Sequence, residues 1–227
     1  MTGTSTFAER PDLAPLIHQA VLDPHLSELN LSEACDAARH FGFGGICSHP
    51  NRLSMLRQRL GPPGPTALIA VIAFPFGAIP AELKRAEAEW AAAQGAEELD
   101  VVADFAALVD GRIETYAEEL ATICALGLPV RAVLDMNALH EESLALAVDA
   151  AIDAGVIGLQ SGNGFGPAVT SEKVGRLKSL VRGRCAIKAA GGLDDLTLAL
   201  DVVEAGAAQL GTSRGPKLMQ ALRRGEM

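Results

Sequence analysis

Aromatic residues are scarce in this chain of 227 residues, which contains one Trp, one Tyr and seven Phe. Because 49% of the residues are nevertheless hydrophobic, we expect a core built by packing of Ala, Leu, Val and Ile. No apolar run approaches the roughly 18 residues of a membrane span. The start MTGTSTFAERPD also lacks the basic and apolar regions of a signal peptide. These absences predict a globular cytoplasmic protein that does not bind a membrane.

Motifs for metal binding, redox chemistry and nucleic-acid binding are also missing. The four cysteines show no C-x-x-C spacing, and we interpret them as reduced core residues. The five histidines show neither H-x-H nor H-E-x-x-H spacing, so we predict no metal site and no cofactor. The formal net charge is −9 and no block of basic residues occurs, which disfavours a nucleic-acid partner. An anionic ligand would therefore need a local binding site.

What the chain does contain is a repeated pattern of helix-period residues, a glycine turn and a short apolar run. Eight such runs predict strands at 16–22, 44–48, 66–74, 97–103, 129–135, 156–161, 184–190 and 207–212. Helices are predicted at about 31–41, 51–60, 80–94, 114–126, 140–154, 171–182, 194–205 and 215–224. We predict an α/β protein with a single (β/α)8 TIM barrel over residues 1–227, in which residues 1–12 form a flexible N-terminal extension. No dinucleotide fingerprint follows the first strand, which disfavours an open doubly wound sheet.

Polar side chains are predicted to face the barrel interior on four successive strands. They are Asp100 on the fourth strand, Arg131 and Asp135 on the fifth, Gln160 on the sixth and Lys188 on the seventh. One interpretation is a self-compensating network of two acids and two bases that only holds the barrel together. The interpretation we favour is a catalytic site, because buried charges are costly without a use and small neighbouring residues would leave room for a substrate.

The loops that follow the last three strands supply candidate binding residues. We predict substrate or phosphate contacts from seven of them: Ser161, Asn163, Gly164, Gly191, Gly192, Ser213 and Arg214. Barrels often hold a phosphate after strands seven and eight, where backbone N–H groups at helix starts attract anions. His18 and His49 lie near strand ends and could also reach the pocket, although we expect a structural role for both.

In order along the chain, six motifs resemble those of the deoxyribose-phosphate aldolase family: ICSHP, VIAFPFG, ELDVVAD, QSGNGFG, IKAAGGL and LGTSRG. The resemblance covers nearly the whole chain and implies a barrel with aldolase activity, often a homodimer or homotetramer. It implies that Asp100 shuttles protons and that Lys188 is the second lysine of the site. It further implies that Gly191, Gly192 and Ser213 contact a phosphorylated small-molecule substrate.

The resemblance also exposes departures from the family pattern. Gln160 occupies the position of the lysine that forms the Schiff base in this family, and an amide cannot form one. Further departures are His18 for Asp, Arg131 for Lys, Asp135 for Glu, Gly162 for Ser and Arg214 for the second Ser of the phosphate loop.

Three interpretations of the function follow from these departures. In the first, the chain is a carbon–carbon lyase in which Lys188 is the amine nucleophile and Gln160 orients the substrate. In the second, Asp100 and Lys188 move protons without an imine, as in an isomerase, epimerase, dehydratase or cyclisation catalyst. In the third, the barrel binds a sugar phosphate without turning it over.

Overall fold

The computed structural model describes residues 12–225, and its eight parallel strands close into a barrel in chain order. The strands are β1 Ile17–Val21, β2 Gly45–Ser48, β3 Ala67–Ile72, β4 Glu98–Val101, β5 Val130–Val133, β6 Gly158–Gln160, β7 Ala186–Ala190 and β8 Gln209–Thr212. Each lies inside one of the predicted apolar runs. The TIM barrel expected from the sequence is therefore confirmed. Of the predicted N-terminal extension, all but Asp12 lies outside the described residues.

Helices alternate with the strands and surround the barrel. They are α1 Glu28–Phe41, α2 Leu53–Leu60, α3 Ala81–Ala93, α4 Phe105–Val109, α5 Ile113–Cys124, α6 Glu141–Asp153, α7 Ser171–Val181, α8 Leu196–Ala205 and α9 Gly215–Arg224. Short 3₁₀ helices occur at Ala14–Leu16 and Pro50–Arg52. The five-residue α4 was not predicted. Within residues 12–225, no helix has both the length and the apolar character that a membrane crossing requires.

Capping residues explain where several helices begin and end. Ser27 accepts a hydrogen bond from the Asn30 backbone N–H, and the Asn30 side chain bonds back to Ser27, so α1 starts three residues before the predicted position. Gly42 ends this helix at a φ of 78°, a left-handed conformation that glycine adopts without a Cβ penalty. The chain then turns directly into β2.

The aliphatic core lies between the barrel and its helices, as the composition predicts. Inside the barrel a second, smaller apolar cluster is formed by Cys47, Ile69 and Val71 on β2 and β3. The interior positions of β4 to β7 carry the charged and amide side chains instead. One side of the barrel interior is therefore apolar and the other is polar.

Candidate active site

Asp100 on β4 is the centre of a buried ion-pair network. Its side chain is fully buried, and Oδ1 accepts a hydrogen bond from Arg131 Nη1 at 3.0 Å. Oδ2 accepts hydrogen bonds from Lys188 Nζ and, at 3.5 Å, from the Cys47 thiol. Burial alone would raise the pKa of Asp100, but the charges of Lys188 and Arg131 outweigh it and hold this pKa well below its ordinary value. Asp100 is therefore an anion near neutral pH.

Arg131 on β5 joins Asp100 to a second carboxylate, Glu98. Its Nη2 pairs with Glu98, which lies two residues before Asp100 and so faces the same side of β4. Burial opposes its charge, but these two carboxylates raise the pKa of Arg131. A Cβ on Gly158 would lie 3.2 Å from Arg131 Cγ, so the small residue on β6 makes room for the arginine stem. The space beside this glycine, which the sequence predicts to be free for a substrate, is therefore filled by Arg131.

Asp135 does not join this network. Strand β5 ends at Val133, and Asp135 lies in the following turn, where its Oδ1 accepts a hydrogen bond from the Asn137 backbone N–H at 3.2 Å. The second acid beside Arg131 is Glu98 instead. A catalytic role for Asp135 stays a prediction without structural support.

Lys188 on β7 lies beside Gln160 on β6, because the two residues are paired in the parallel register. Lys188 is 2% exposed, and a Cβ on Gly211 of β8 would lie 3.1 Å from its Cε. The lysine stem thus runs across the space left by this glycine. Gln160 Nε2 donates to the Gly162 carbonyl at 2.7 Å. Within residues 12–225, no protein donor bonds Gln160 Oε1, so this oxygen is available to a ligand.

A cavity of about 740 Å³ opens at the carboxyl ends of the strands, where barrel enzymes bind their substrates. Asp100, Gln160 and Lys188 line it, and so do Cys47 and His18. Its apolar wall comes from the loops after β1, β3 and β6, and from residues on α1 and β3; the side chains include Leu22, Leu26, Ala34, Val71, Phe74 and Phe165. The three polar side chains predicted from strands four, six and seven therefore share one cavity.

His18 on β1 also lines the cavity, although the sequence predicts a structural role for it. It is 4% exposed, and its Nδ1 has no hydrogen-bond partner among the described residues. Burial, together with the charges of Lys188 and Arg131, holds the pKa of His18 well below its ordinary value. The ring is therefore neutral near pH 7. His18 is paired with Gly211 on the neighbouring strand β8. This pairing of the first strand with the last exists only in the closed barrel, so no local sequence pattern indicates it.

The loops after β7 and β8 lie at the cavity mouth. Gly191 and Gly192 have φ values of 108° and 62°, and a Cβ on Gly192 would lie 2.7 Å from Ala168 Cβ. Both glycines line the cavity with the exposed side chains of Ser213 and Arg214. The exposed Asp194 also lines this part of the cavity and opposes an anion there.

The start of α9 differs from the expected anion site in one respect. The Arg214 N–H donates to Thr212 Oγ1 at 2.9 Å, and the Gly215 N–H donates to Gln19 Oε1 at 3.1 Å. Gln19 Nε2 also donates to the Ser213 carbonyl at 3.0 Å. These two N–H groups are thus already bonded within the chain. An anion at this loop would depend on the Ser213 hydroxyl and the Arg214 guanidinium.

The three residues predicted after β6 fall into different environments. Ser161 Oγ accepts from the Ala190 N–H at 3.0 Å and donates to the Ala190 carbonyl at 3.2 Å, so it fastens β6 to β7 and does not line the large cavity. Asn163 Nδ2 donates to the Pro75 carbonyl at 3.0 Å. Asn163 and Gly164 both line the cavity. In the described part of the chain, no group of three or more His, Cys, Asp and Glu side chains is arranged to hold a metal ion.

The chain is similar to named aldolases in sequence and in structure, although no protein-family model matches it. A deoxyribose-phosphate aldolase of Thermosynechococcus vestitus is 39% identical over 210 residues, which cover 92% of this chain and 96% of the relative. A deoxyribose-phosphate aldolase of Thermococcus kodakarensis is 33% identical, over 92% of this chain and 96% of its own.

Solved structures agree with these relatives. The structure described as "QR15, an Aldolase" superimposes with a TM-score of 0.89 at 31% identity, and covers 94% of this chain and 97% of its own. The tetrameric deoxyribose phosphate aldolase of Aeropyrum pernix superimposes with a TM-score of 0.85 at 29% identity, over 93% of this chain and 91% of its own. Sequence identity above 30% over nine-tenths of both chains, on the same closed barrel, shows that this protein belongs to the deoxyribose-phosphate aldolase family.

Proposed function

We propose that this aldolase-family lyase cleaves and forms a carbon–carbon bond next to a small aldehyde, with Lys188 as the amine that forms the Schiff base. The observation that carries the proposal is the position of Lys188: in the part of the chain that the structure describes, it is the only lysine that lines the 740 Å³ cavity. The sixth-strand position offers an amide, Gln160, which cannot replace an amine.

The reaction requires the neutral amine of Lys188. Its nitrogen adds to the aldehyde carbon, and the adduct takes up a proton from solvent and loses water to give a protonated imine. The electron pair of the neighbouring carbon–carbon bond then moves into this imine while the substrate hydroxyl gives up its proton, so that an aldehyde leaves and an enamine remains on Lys188. Protonation of the enamine carbon and addition of water release the second aldehyde and restore the amine.

The surrounding residues hold the charges of these intermediates. Asp100 is anionic and bonds Lys188 Nζ, so it stabilises the positive charge of the protonated imine. Arg131 donates a hydrogen bond to the other oxygen of Asp100, and Arg131 itself does not line the cavity. Gln160 Oε1, which no described protein donor bonds, can accept a hydrogen bond from the hydroxyl of the adduct.

The substrate class that this cavity supports best is a deoxyribose phosphate, the compound in the relatives' names. Its aldehyde end would lie at Lys188 on the cavity floor. Its phosphate would lie at the mouth, where Ser213 and Arg214 present a hydroxyl and a guanidinium beside Gly191 and Gly192. The acidic Asp194 limits how strongly this end attracts an anion.

Trapping with borohydride tests the proposal. Wild-type protein is incubated with acetaldehyde, the imine is reduced, and the adduct is located by intact mass and peptide digest. We expect one fast, stoichiometric adduct on Lys188, and none on this residue's peptide in Lys188→Met. Lys217→Met, a change of an exposed lysine on α9, is the matched control and should trap as wild type does.

An adduct distributed over surface lysines, or none in a folded protein, would overturn the imine mechanism. The second interpretation, proton transfer by Asp100 and Lys188 without an imine, would then be tested by deuterium uptake from solvent into deoxyribose 5-phosphate. Binding of that compound without exchange or turnover would favour the third, non-catalytic interpretation.

A further inference from the structure

His18 is a buried polar residue for which the proposed mechanism has no use so far. It lines the same cavity as Lys188 and Asp100, and Nδ1 has no partner among the described residues. A buried nitrogen without a hydrogen bond lowers the stability of the fold, so a role in ligand binding or catalysis would explain why the residue is there. The resemblance implies an Asp at this position of the first strand, so His18 is one of the departures from the family pattern.

The register of the barrel places this imidazole next to the reacting amine. His18 on β1 pairs with Gly211 on β8, and the Lys188 stem crosses the space where Gly211 lacks a side chain. His18, Asp100 and Lys188 also line the same cavity. A substrate carbon bound to Lys188 Nζ would therefore carry its neighbouring groups towards His18.

Asp100 is poorly suited to accept a proton from the substrate. Its two oxygens are held by Arg131, Lys188 and the Cys47 thiol, and its carboxylate is strongly stabilised as an anion. The Cys47 thiol is no better, because burial raises its pKa to about 12. A neutral imidazole with a vacant nitrogen is the remaining candidate among the described residues on the cavity floor.

We infer that His18 is the catalytic residue that takes the proton of the substrate hydroxyl as the carbon–carbon bond breaks. The hydroxyl O–H bond breaks, its electron pair forms the carbonyl of the leaving aldehyde, and its proton moves to the imidazole. The electron pair of the broken carbon–carbon bond neutralises the imine on Lys188. The imidazolium then releases its proton to solvent, and addition of two aldehydes runs through the same steps in reverse. This inference rests on the proposed role of Lys188.

The electrostatics favour this timing. The positive charge on Lys188 is one cause of the low pKa of His18. That charge disappears when the protonated imine becomes the enamine, so the pKa of His18 rises during the step in which it must accept a proton.

One substrate, acetaldehyde, tests His18 and Lys188 separately. Borohydride trapping reports the imine on Lys188, and formation of 3-hydroxybutanal from two acetaldehyde molecules reports the carbon–carbon step. We expect His18→Asn to trap acetaldehyde on Lys188 within a few-fold of the wild-type rate, while kcat for addition falls by about 10²–10⁴-fold. The matched control is His40→Asn on the exposed face of α1, with both activities unchanged.

A second variant separates catalysis from structure. His18→Ala should lose the addition in the same way, and added imidazole should restore part of kcat by entering the space left by the ring. Addition by His18→Asn within three-fold of wild type, with trapping intact, would overturn the inference. Loss of trapping together with addition would also overturn it, since His18 would then act on the imine or on the fold. Failure of wild-type trapping would instead refute the proposed function of Lys188.

Discussion

Asp100→Asn is expected to lower the stability of the protein strongly. The asparagine removes the negative charge that Arg131 and Lys188 share, in a site that is fully buried. Arg131 keeps Glu98, so the loss falls mainly on Lys188, which has no other ion-pair partner among the described residues. Breaking a buried ion pair from one side costs about 3–5 kcal/mol because it leaves an uncompensated charge.

The expected shift is large enough for a simple thermal assay. For a chain of this size, about 2–4 °C of Tm corresponds to 1 kcal/mol, so Tm should fall by roughly 6–20 °C. Asp36→Asn provides the control, because it removes the two solvent-exposed ion pairs of Asp36, with Arg39 and Arg59, which water and salt screen, and Tm should hardly change.

A double-variant cycle tests the reason for the loss. Lys188→Met removes the positive charge that Asp100→Asn leaves without a partner, so the double variant should be more stable than Asp100→Asn alone. Urea unfolding followed by circular dichroism measures the free energies of unfolding of the wild type, the two single variants and the double variant. The reasoning is refuted if Asp100→Asn lowers the free energy of unfolding by less than about 1 kcal/mol. It is also refuted if the losses of the two single variants simply add up in the double variant.

Three further outcomes follow from the same site. Arg214→Ala should raise KM for deoxyribose 5-phosphate about ten-fold, the loss of one charge-assisted contact, and leave KM for unphosphorylated deoxyribose unchanged; equal changes in steady-state assays would place the phosphate elsewhere. Gly211→Ala should lower kcat while the protein stays folded, because its Cβ would lie 2.9 Å from Ala190 Cβ and 3.1 Å from Lys188 Cε, so that the lysine side chain must shift; an unchanged kcat would contradict this packing. The third concerns pH. Folding lowers the pKa of His18 from 6.5, so the unfolded chain binds this proton more readily than the folded chain does. The contribution of His18 to the free energy of unfolding is therefore fully present above pH 6.5 and is lost as the pH falls below it, by about 1.4 kcal/mol per pH unit. Urea unfolding between pH 5 and 8 should show that this slope is reduced in His18→Asn, and an equal slope would exclude His18 as its source.

The sequence was sufficient to predict the fold because the alternation of apolar runs and helical patterns is local. It was also sufficient to pair Asp100 with Lys188 and Arg131, since side chains alternate along strands and neighbouring strands are consecutive in a barrel. The alternation fails where a strand stops. Asp135 lies past the end of β5, whereas Glu98 lies on β4 two residues before Asp100 and shares its face.

Contacts between distant segments were beyond local patterns. Glycine at 158 indicates free space, but only the structure shows that the Arg131 stem fills it. The helix start at Gly215 looked available to an anion because nothing near it in sequence reveals Gln19, 196 positions earlier, as the partner of its N–H. Likewise, the sequence does not indicate that His18 Nδ1 lacks a hydrogen-bond partner, because the residues around it come from distant parts of the chain.

The two hydrogen bonds of Gln19 have a consequence for how the protein matures. They join the first strand to the loop that follows the last strand, and that loop forms part of the cavity mouth. A ribosome delivers β1 before, and β8 after, the other six strands of the barrel, so this corner of the cavity cannot exist until β8 and the loop after it have emerged. A nascent chain can therefore build most of the barrel's helices and strands while still lacking a complete substrate pocket, and acquires one only when the first and last strands meet.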